Sequence, residues 1–240
     1  MKHQYQFFGE PLSQDLWKIH DEDEVHHLVK VLRLKEGDVV AVGNGKGILV
    51  DGVVKEVTKR QVVVRVTSVN ECKTREQKMA LGLGVLRAGS IDEIIPSLTE
   101  LGVDVLHVFQ QSGSDRARLS EKAVDRWKKI IRTAVKQSKR AWIPELYVHQ
   151  SLVDFLAHKA STYQSIYTLD QDAEQTISSV PPKQDGSILV LVGGEKGFDQ
   201  DEIMFMTGLG CKSVRLSSNV LRSTTAAIAA VAYFATTLKI

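Results

Sequence analysis

The apolar positions of this chain keep two different rhythms, and the change falls near residue 72. Before it, residues 38–42, 48–57 and 61–69 are valine-rich runs, broken by Gly43, Gly45 and Gly47 and by Thr58-Lys59-Arg60. β-Branched residues set between turn-forming stretches predict three strands, and residues 1–72 read as a small β-barrel domain. Leu28, Val31 and Leu32 are spaced for one face of a short helix behind an acidic run at 21–24. Past a polar linker at 71–78 come further strand-like runs at 79–86, 103–109, 165–169, 188–192 and about 213–216, of which 188–192 is continuously apolar. Such strands are buried on both faces, as in a parallel sheet. Between the first two lies a helix with Ile91, Ile94, Ile95, Leu98 and Leu101 on one side. Ser90 and Glu93 form a capping pattern at its start, Pro96 interrupts it and Gly102 ends it. Strand, helix and strand of this length predict a βαβ unit and a parallel sheet in residues 73–240. A long helix runs from a Ser120 cap to about Arg140, a shorter one covers 152–157, and Asp199 with Glu202 caps a third.

The stretch from Ser187 to the end organises the rest. The buried run at 188–192 passes straight into Gly193-Gly194-Glu195-Lys196-Gly197. Glycines there let backbone N–H groups approach a ligand, although the same pattern also reads as a tight strand-to-helix turn. The next strand ends in a second polar loop, Ser217 to Asn219. Taken as adjacent, these strands put two loops side by side at their carboxyl ends, where open α/β sheets bind small ligands. The alanine-rich helix that follows, from Ala226 to Ala235, reads as a core helix or as a dimer face.

Composition narrows the classes. With 43% hydrophobic and 25% charged residues among 240, the chain builds an ordinary globular core, in one large domain or two. The net charge of +2 names no partner. Charge is instead concentrated on the helix after Ser120, where Arg126, Lys129, Arg132, Lys136 and Arg140 face few acids; this is either a solvated face or a phosphate-binding one. Cys72 and Cys211 are far apart and lack metal-ligand spacing, which fits reduced thiols in the cytoplasm. There is no signal-peptide core and no run long enough to span a membrane. His26 and His27 have no Cys or carboxylate at ligand spacing, so no metal is expected; the pair reads as structural or RNA-facing.

Several stretches then match one known pattern in order. His26-His27-Leu28-Val29-Lys30-Val31-Leu32-Arg33 leads, followed by Thr99-Glu100-Leu101-Gly102, Asp115-Arg116, Arg126-Trp127 with Gln137-Ser138-Lys139-Arg140, Gly193 to Phe198, and Val220-Leu221-Arg222-Ser223-Thr224-Thr225-Ala226. Together they resemble the RsmE family of the SPOUT superfamily, which methylates N3 of a uridine in small-subunit (16S) ribosomal RNA. Departures are local. Gly194 stands where the motif has proline, Lys196 where it has glycine, Thr224 where it has glutamate, and Lys136 where it has an acid.

The resemblance implies an α/β protein: a PUA-like β-barrel over 1–72 that binds RNA, then a SPOUT methyltransferase domain over 73–240 with a trefoil knot, working as a homodimer. It implies S-adenosyl-L-methionine as cofactor, held by Leu169, by Val192, Gly193, Gly194 and Gly197, and by Leu216, Ser217, Asn219, Val220 and Leu221. Arg222 first, and Arg116 second, would stabilise the pyrimidine oxygens while N3 loses its proton. His27, Arg33, Arg126, Lys129, Arg132, Lys136 and Arg140 would hold ribosomal RNA or the small subunit. A second reading, a non-catalytic RNA-binding or ribosome-assembly protein on the same fold, starts from Lys196 and Thr224. A third, a nucleotide-binding enzyme for small molecules, is opposed by the β-barrel and the one-sided basic helix.

Overall fold

The structure, a computed structural model, describes residues 6–87, 89–111, 119–183 and 186–238. The chain forms two compact units. One gathers the chain up to Thr74 together with Val135–Ile143; the other takes Arg75–Ala134 and the chain from Pro144 onward.

The first unit is a six-stranded sheet in the order β1-β4-β5-β6-β3-β2. Its strands are β1 (Gln6–Phe8), β2 (Glu10–Pro11), β3 (Leu16–Ile19), β4 (Val39–Gly43), β5 (Ile48–Val57) and β6 (Val62–Glu71). The three longest coincide closely with the valine-rich runs. The three short ones went unread, because two to four residues carry no periodicity and their partners are remote: β1 pairs in parallel with β4, Gln6 opposite Ala41. Alternate residues fill the interior, among them Trp17, Ile19, Val40, Val42, Val62 and Val64. Helix α1 (Glu22–His26) is capped by Asp21 and passes into a π-helical turn, His27–Val31, that buries Leu28. Glu24 is also buried, and one of its carboxylate oxygens accepts from Lys136 Nζ at 2.5 Å.

The second unit is a six-stranded sheet in the order β12-β10-β11-β7-β8-β9, with every pairing parallel. Its strands are β7 (Met79–Gly84), β8 (Val105–Phe109), β9 (Glu145–His149), β10 (Ser165–Leu169), β11 (Ile188–Val192) and β12 (Lys212–Val214). All residues of β7, β8 and β11 are buried, His107 of β8 included. The sheet order corrects one reading: β12 pairs with β10, so β10 stands between the strands taken as neighbours. The loop after β10, which the resemblance already places at the cofactor, therefore lies between the other two.

The helices are α2 (Ser90–Glu100), α3 (Glu121–Gln137), α4 (Leu152–Lys159), α5 (Gln200–Gly208) and α6 (Ser223–Thr237). Phe155 and Leu156 of α4 and Met206 of α5 pack with Ile166, Leu189 and Leu191 on one face of the sheet. Neighbouring strand residues point the opposite way; there Tyr167 meets Phe234 of α6, ring centroids 5.0 Å apart. Ala227, Ala230 and Val231 of α6 are fully buried against this face, so its small residues serve core packing. Two helix ends differ from expectation. Ser90 does not cap α2; Gly89, at φ 92°, precedes it without a side-chain cap. Helix α3 stops at Gln137, because Lys139 takes the left-handed position (φ 55°) and Arg140 N–H returns to Val135 O. Ser120 does cap α3, and Asp199 with Glu202 forms the full reciprocal box at α5.

Candidate active site

Strands β10, β11 and β12 end on one side of the sheet, and the loops leaving them surround a cleft of about 790 Å3. From β10 come Leu169 and Asp170; from β11, Val192, Gly193, Gly194 and Gly197; from the segment after β12, Leu216, Ser217, Asn219, Val220 and Leu221. Every position expected at a cofactor thus borders this one cleft. Leu86 and Arg87 after β7, and Glu93 of α2, close its other side.

The glycine loop has a defined shape. Gly197 N–H donates to Gly194 O at 3.0 Å, closing a tight turn. A Cβ on Gly193 would lie 2.7 Å from the Gly197 carbonyl carbon, and Gly197 itself sits at φ 73°. Both positions need glycine, the first for backbone approach and the second for conformation. Ser223 Oγ, in the first turn of α6, donates to Gly194 O at 2.7 Å. Gln111, following β8, places its amide against the same turn: Oε1 accepts from Gly194 N–H and Nε2 donates to Gly197 O at 3.1 Å. Across the mouth, Arg87 Nε donates to Glu195 Oε2 at 2.7 Å. Asp170, also at the rim, accepts from Ser213 Oγ at 3.0 Å. Sequence reasoning missed Gln111, Arg87 and Ser223 as parts of the site, since only tertiary approach brings them to the loop.

Arg222 is exposed at the cleft, immediately before α6, with its carbonyl accepting from Ala226 N–H. Arg116 lies outside the described residues, as does the polar loop that carries it. The other residues expected at RNA fall in both units. In the first unit His27 is half-buried with its ring edge toward Phe7, Arg33 is exposed at φ 53°, Lys136 is held by Glu24, and Arg140 receives Gln6 Nε2 on its carbonyl. In the second unit Arg126 pairs with Asp92 at 2.8 Å, Lys129 is exposed and Arg132 is half-buried. Among the described residues no group of three or more His, Cys, Asp or Glu is placed to hold a metal ion. Cys211 is half-buried, and burial pushes its thiol up to about 11, which leaves it protonated and inert.

The RNA methyltransferase domain family matches residues 73–235, and the RNA methyltransferase PUA domain family matches residues 21–67. The chain belongs to the RNA methyltransferase family. The cleft falls within the matched span, and the basic helix α3 does too. Ribosomal RNA small subunit methyltransferase E of Mycobacterium bovis is 29% identical to this family member over 217 residues, 88% of this chain and 82% of that one. Among solved structures, a predicted RNA methyltransferase from Thermotoga maritima has a TM-score of 0.75 at 28% identity, covering 97% of this chain and 98% of its own. Ribosomal RNA small subunit methyltransferase E from Neisseria gonorrhoeae, solved bound to S-adenosyl methionine, has a TM-score of 0.86 with 98% of both chains covered. At 19% identity it speaks to the fold alone.

Proposed function

We propose that this protein transfers the methyl group of S-adenosyl-L-methionine to N3 of a uridine in small-subunit ribosomal RNA. The observation that carries the reading is the cleft: three loops at the carboxyl edge of a parallel sheet, in a chain of the RNA methyltransferase family. Its volume of about 790 Å3 suits a nucleoside-sized cofactor. The residues fit the group in kind: Leu169, Val192, Leu216 and Leu221 offer apolar walls, and Gly193, Gly194 and Gly197 line the cleft without side chains.

When bound, S-adenosylmethionine supplies an activated methyl group on a sulfonium. The chain's part is to align donor and acceptor and to exclude water. Uridine N3 must lose a proton before it attacks. Arg222, exposed at the cleft, would stabilise the negative charge that then spreads to the pyrimidine oxygens, with Arg116 assisting. Carboxylates also border the cleft, and two of them, Glu195 and Asp170, are already engaged by Arg87 and Ser213.

RNA would be gripped by His27, Arg33, Lys136 and Arg140 in the first unit and by Arg126, Lys129 and Arg132 in the second. In this reading residues 1–72 form the PUA-like RNA-binding domain. Residues 73–240 form the SPOUT domain with its trefoil knot. The protein works in the cytoplasm as a homodimer, an arrangement that would cover Val220, 74% exposed at the cleft rim. Among the described residues, no helix is long and apolar enough to cross a membrane. The test is methylation of small-subunit RNA, read as 3-methyluridine by nucleoside mass spectrometry. Appearance of that nucleoside is expected with wild type. Cofactor binding without any methylated nucleoside would instead favour a non-catalytic RNA-binding role.

A further inference from the structure

Gln111 engages both its amide oxygen and its amide nitrogen inside the second unit. An amide side chain has one oxygen acceptor and two N–H donors. Its oxygen takes Gly194 N–H, and its nitrogen reaches Gly197 O at 3.1 Å and Glu202 Oε2 at 3.0 Å. One side chain therefore holds both ends of the glycine turn and ties it to the capping box of α5, where Glu202 Oε2 also accepts from Asp199 N–H at 3.0 Å. Gln111 is only 8% exposed and does not itself line the cleft. The space around it is shaped for this amide. A Cβ on Gly84 would lie 2.1 Å from Gln111 Oε1, and one on Gly194 2.8 Å from it.

The residue at 194 explains why such a clamp is needed. Gly194 stands where the motif that this chain resembles has proline. A proline there has no N–H to satisfy and a fixed φ. Glycine brings a buried N–H and the widest backbone freedom of any residue. Gln111 answers both: it accepts from the N–H, and it pins the turn from outside. We infer that Gln111 is a positioning residue that holds the glycine loop in its cofactor-receiving shape, in place of a proline ring, and so sets cofactor affinity without touching the cofactor. This rests on the assignment of the cleft to S-adenosylmethionine.

The experiment compares wild type, Gln111→Ala, and Gln111→Ala combined with Gly194→Pro. Calorimetry measures S-adenosylmethionine and small-subunit RNA separately, and amide hydrogen exchange follows residues 193–198 in the ligand-free proteins. Gln111→Ala strands a buried donor, so its cofactor affinity should fall about tenfold. Its RNA affinity should stay unchanged, and exchange over 193–198 should accelerate. Adding Gly194→Pro removes the stranded N–H and restricts φ, and should return cofactor affinity to within about threefold of wild type with slow exchange restored. Unchanged cofactor affinity in Gln111→Ala overturns the inference. So does a defect that Gly194→Pro leaves in place, or a parallel loss of RNA affinity, which would mark general unfolding. If wild type binds no S-adenosylmethionine, the assignment of the cleft fails instead; the exchange comparison still decides the clamp, and equal rates overturn it.

Discussion

Strand β8 points two polar side chains to the same face, His107 in its middle and Gln111 just beyond its end, with Phe109 between them. Their partners make them different. His107 Nδ1 bonds His149 Nε2 at 2.9 Å and its Nε2 bonds Tyr163 Oη at 2.8 Å, while its ring lies 4.4 Å from that of Phe155. Burial above all, with His149 and Lys159 adding to it, drives its pKa down from 6.5 to about 3. The ring is neutral at ordinary pH and closed upon other side chains of the core. Gln111, also buried, bonds the backbone of a loop that borders the cleft as well as Glu202 of α5. Both satisfy the rule that buried polar groups are paired. Burial of a polar group on its own therefore does not mark chemistry. What separates the two is whether the partners belong to the core or to a loop that faces a ligand.

The contrast can be broken or sharpened by substitution. The largest effect is expected at the cleft itself: Arg222→Ala should lower turnover by about a hundredfold while leaving cofactor affinity nearly unchanged, as measured by single-turnover methylation. His107→Ala should do the reverse. It opens a cavity and strands Tyr163 Oη and a His149 nitrogen, so urea unfolding should show a loss of about 2–4 kcal/mol with cofactor affinity intact. A cofactor defect in the folded His107→Ala protein would erase the distinction.

A smaller effect follows from pH. The folded His107 takes up a proton only near pH 3, whereas an unfolded histidine does so near 6.5. Its contribution to stability is thus fully present above about 6.5 and is lost as the pH falls toward 3. Urea midpoints should drop between pH 7 and pH 5, and His107→Phe should flatten that drop. The smallest effect is expected outside both clusters. Lys129→Ala, on the exposed face of α3, should weaken RNA binding a few-fold and lower its salt slope by about one, with cofactor affinity and stability unchanged.

How far these features could be read from the chain depends on the range of the interactions. Strands β7 and β11, the α5 capping box and the loops around the cleft follow from local patterns, namely apolar runs that end in glycine or polar turns. The sheet order does not. Nothing local says that β10 inserts between β11 and β12, and β9 was not read at all because Glu145, Tyr147 and His149 make an edge strand with no apolar run. The start of α2 was misread because Ser90 fits a capping pattern while the backbone turns at Gly89. The end of α3 was extended because a lysine seldom takes the left-handed position that Lys139 occupies. In the site, Gly193 and Gly197 were legible as glycines. Gln111, Ser223 and the Arg87–Glu195 pair were not, since each reaches the loop from a remote or unremarkable place in the chain.

The central claim is that the glycine-bordered cleft receives S-adenosylmethionine, and calorimetry on wild type beside Gly193→Val tests it most directly. The substitution puts a side chain where a Cβ already lies 2.7 Å from the Gly197 backbone. The account predicts binding of roughly micromolar strength in wild type and its loss in the variant. No binding by wild type, or equal binding by both proteins, would contradict it.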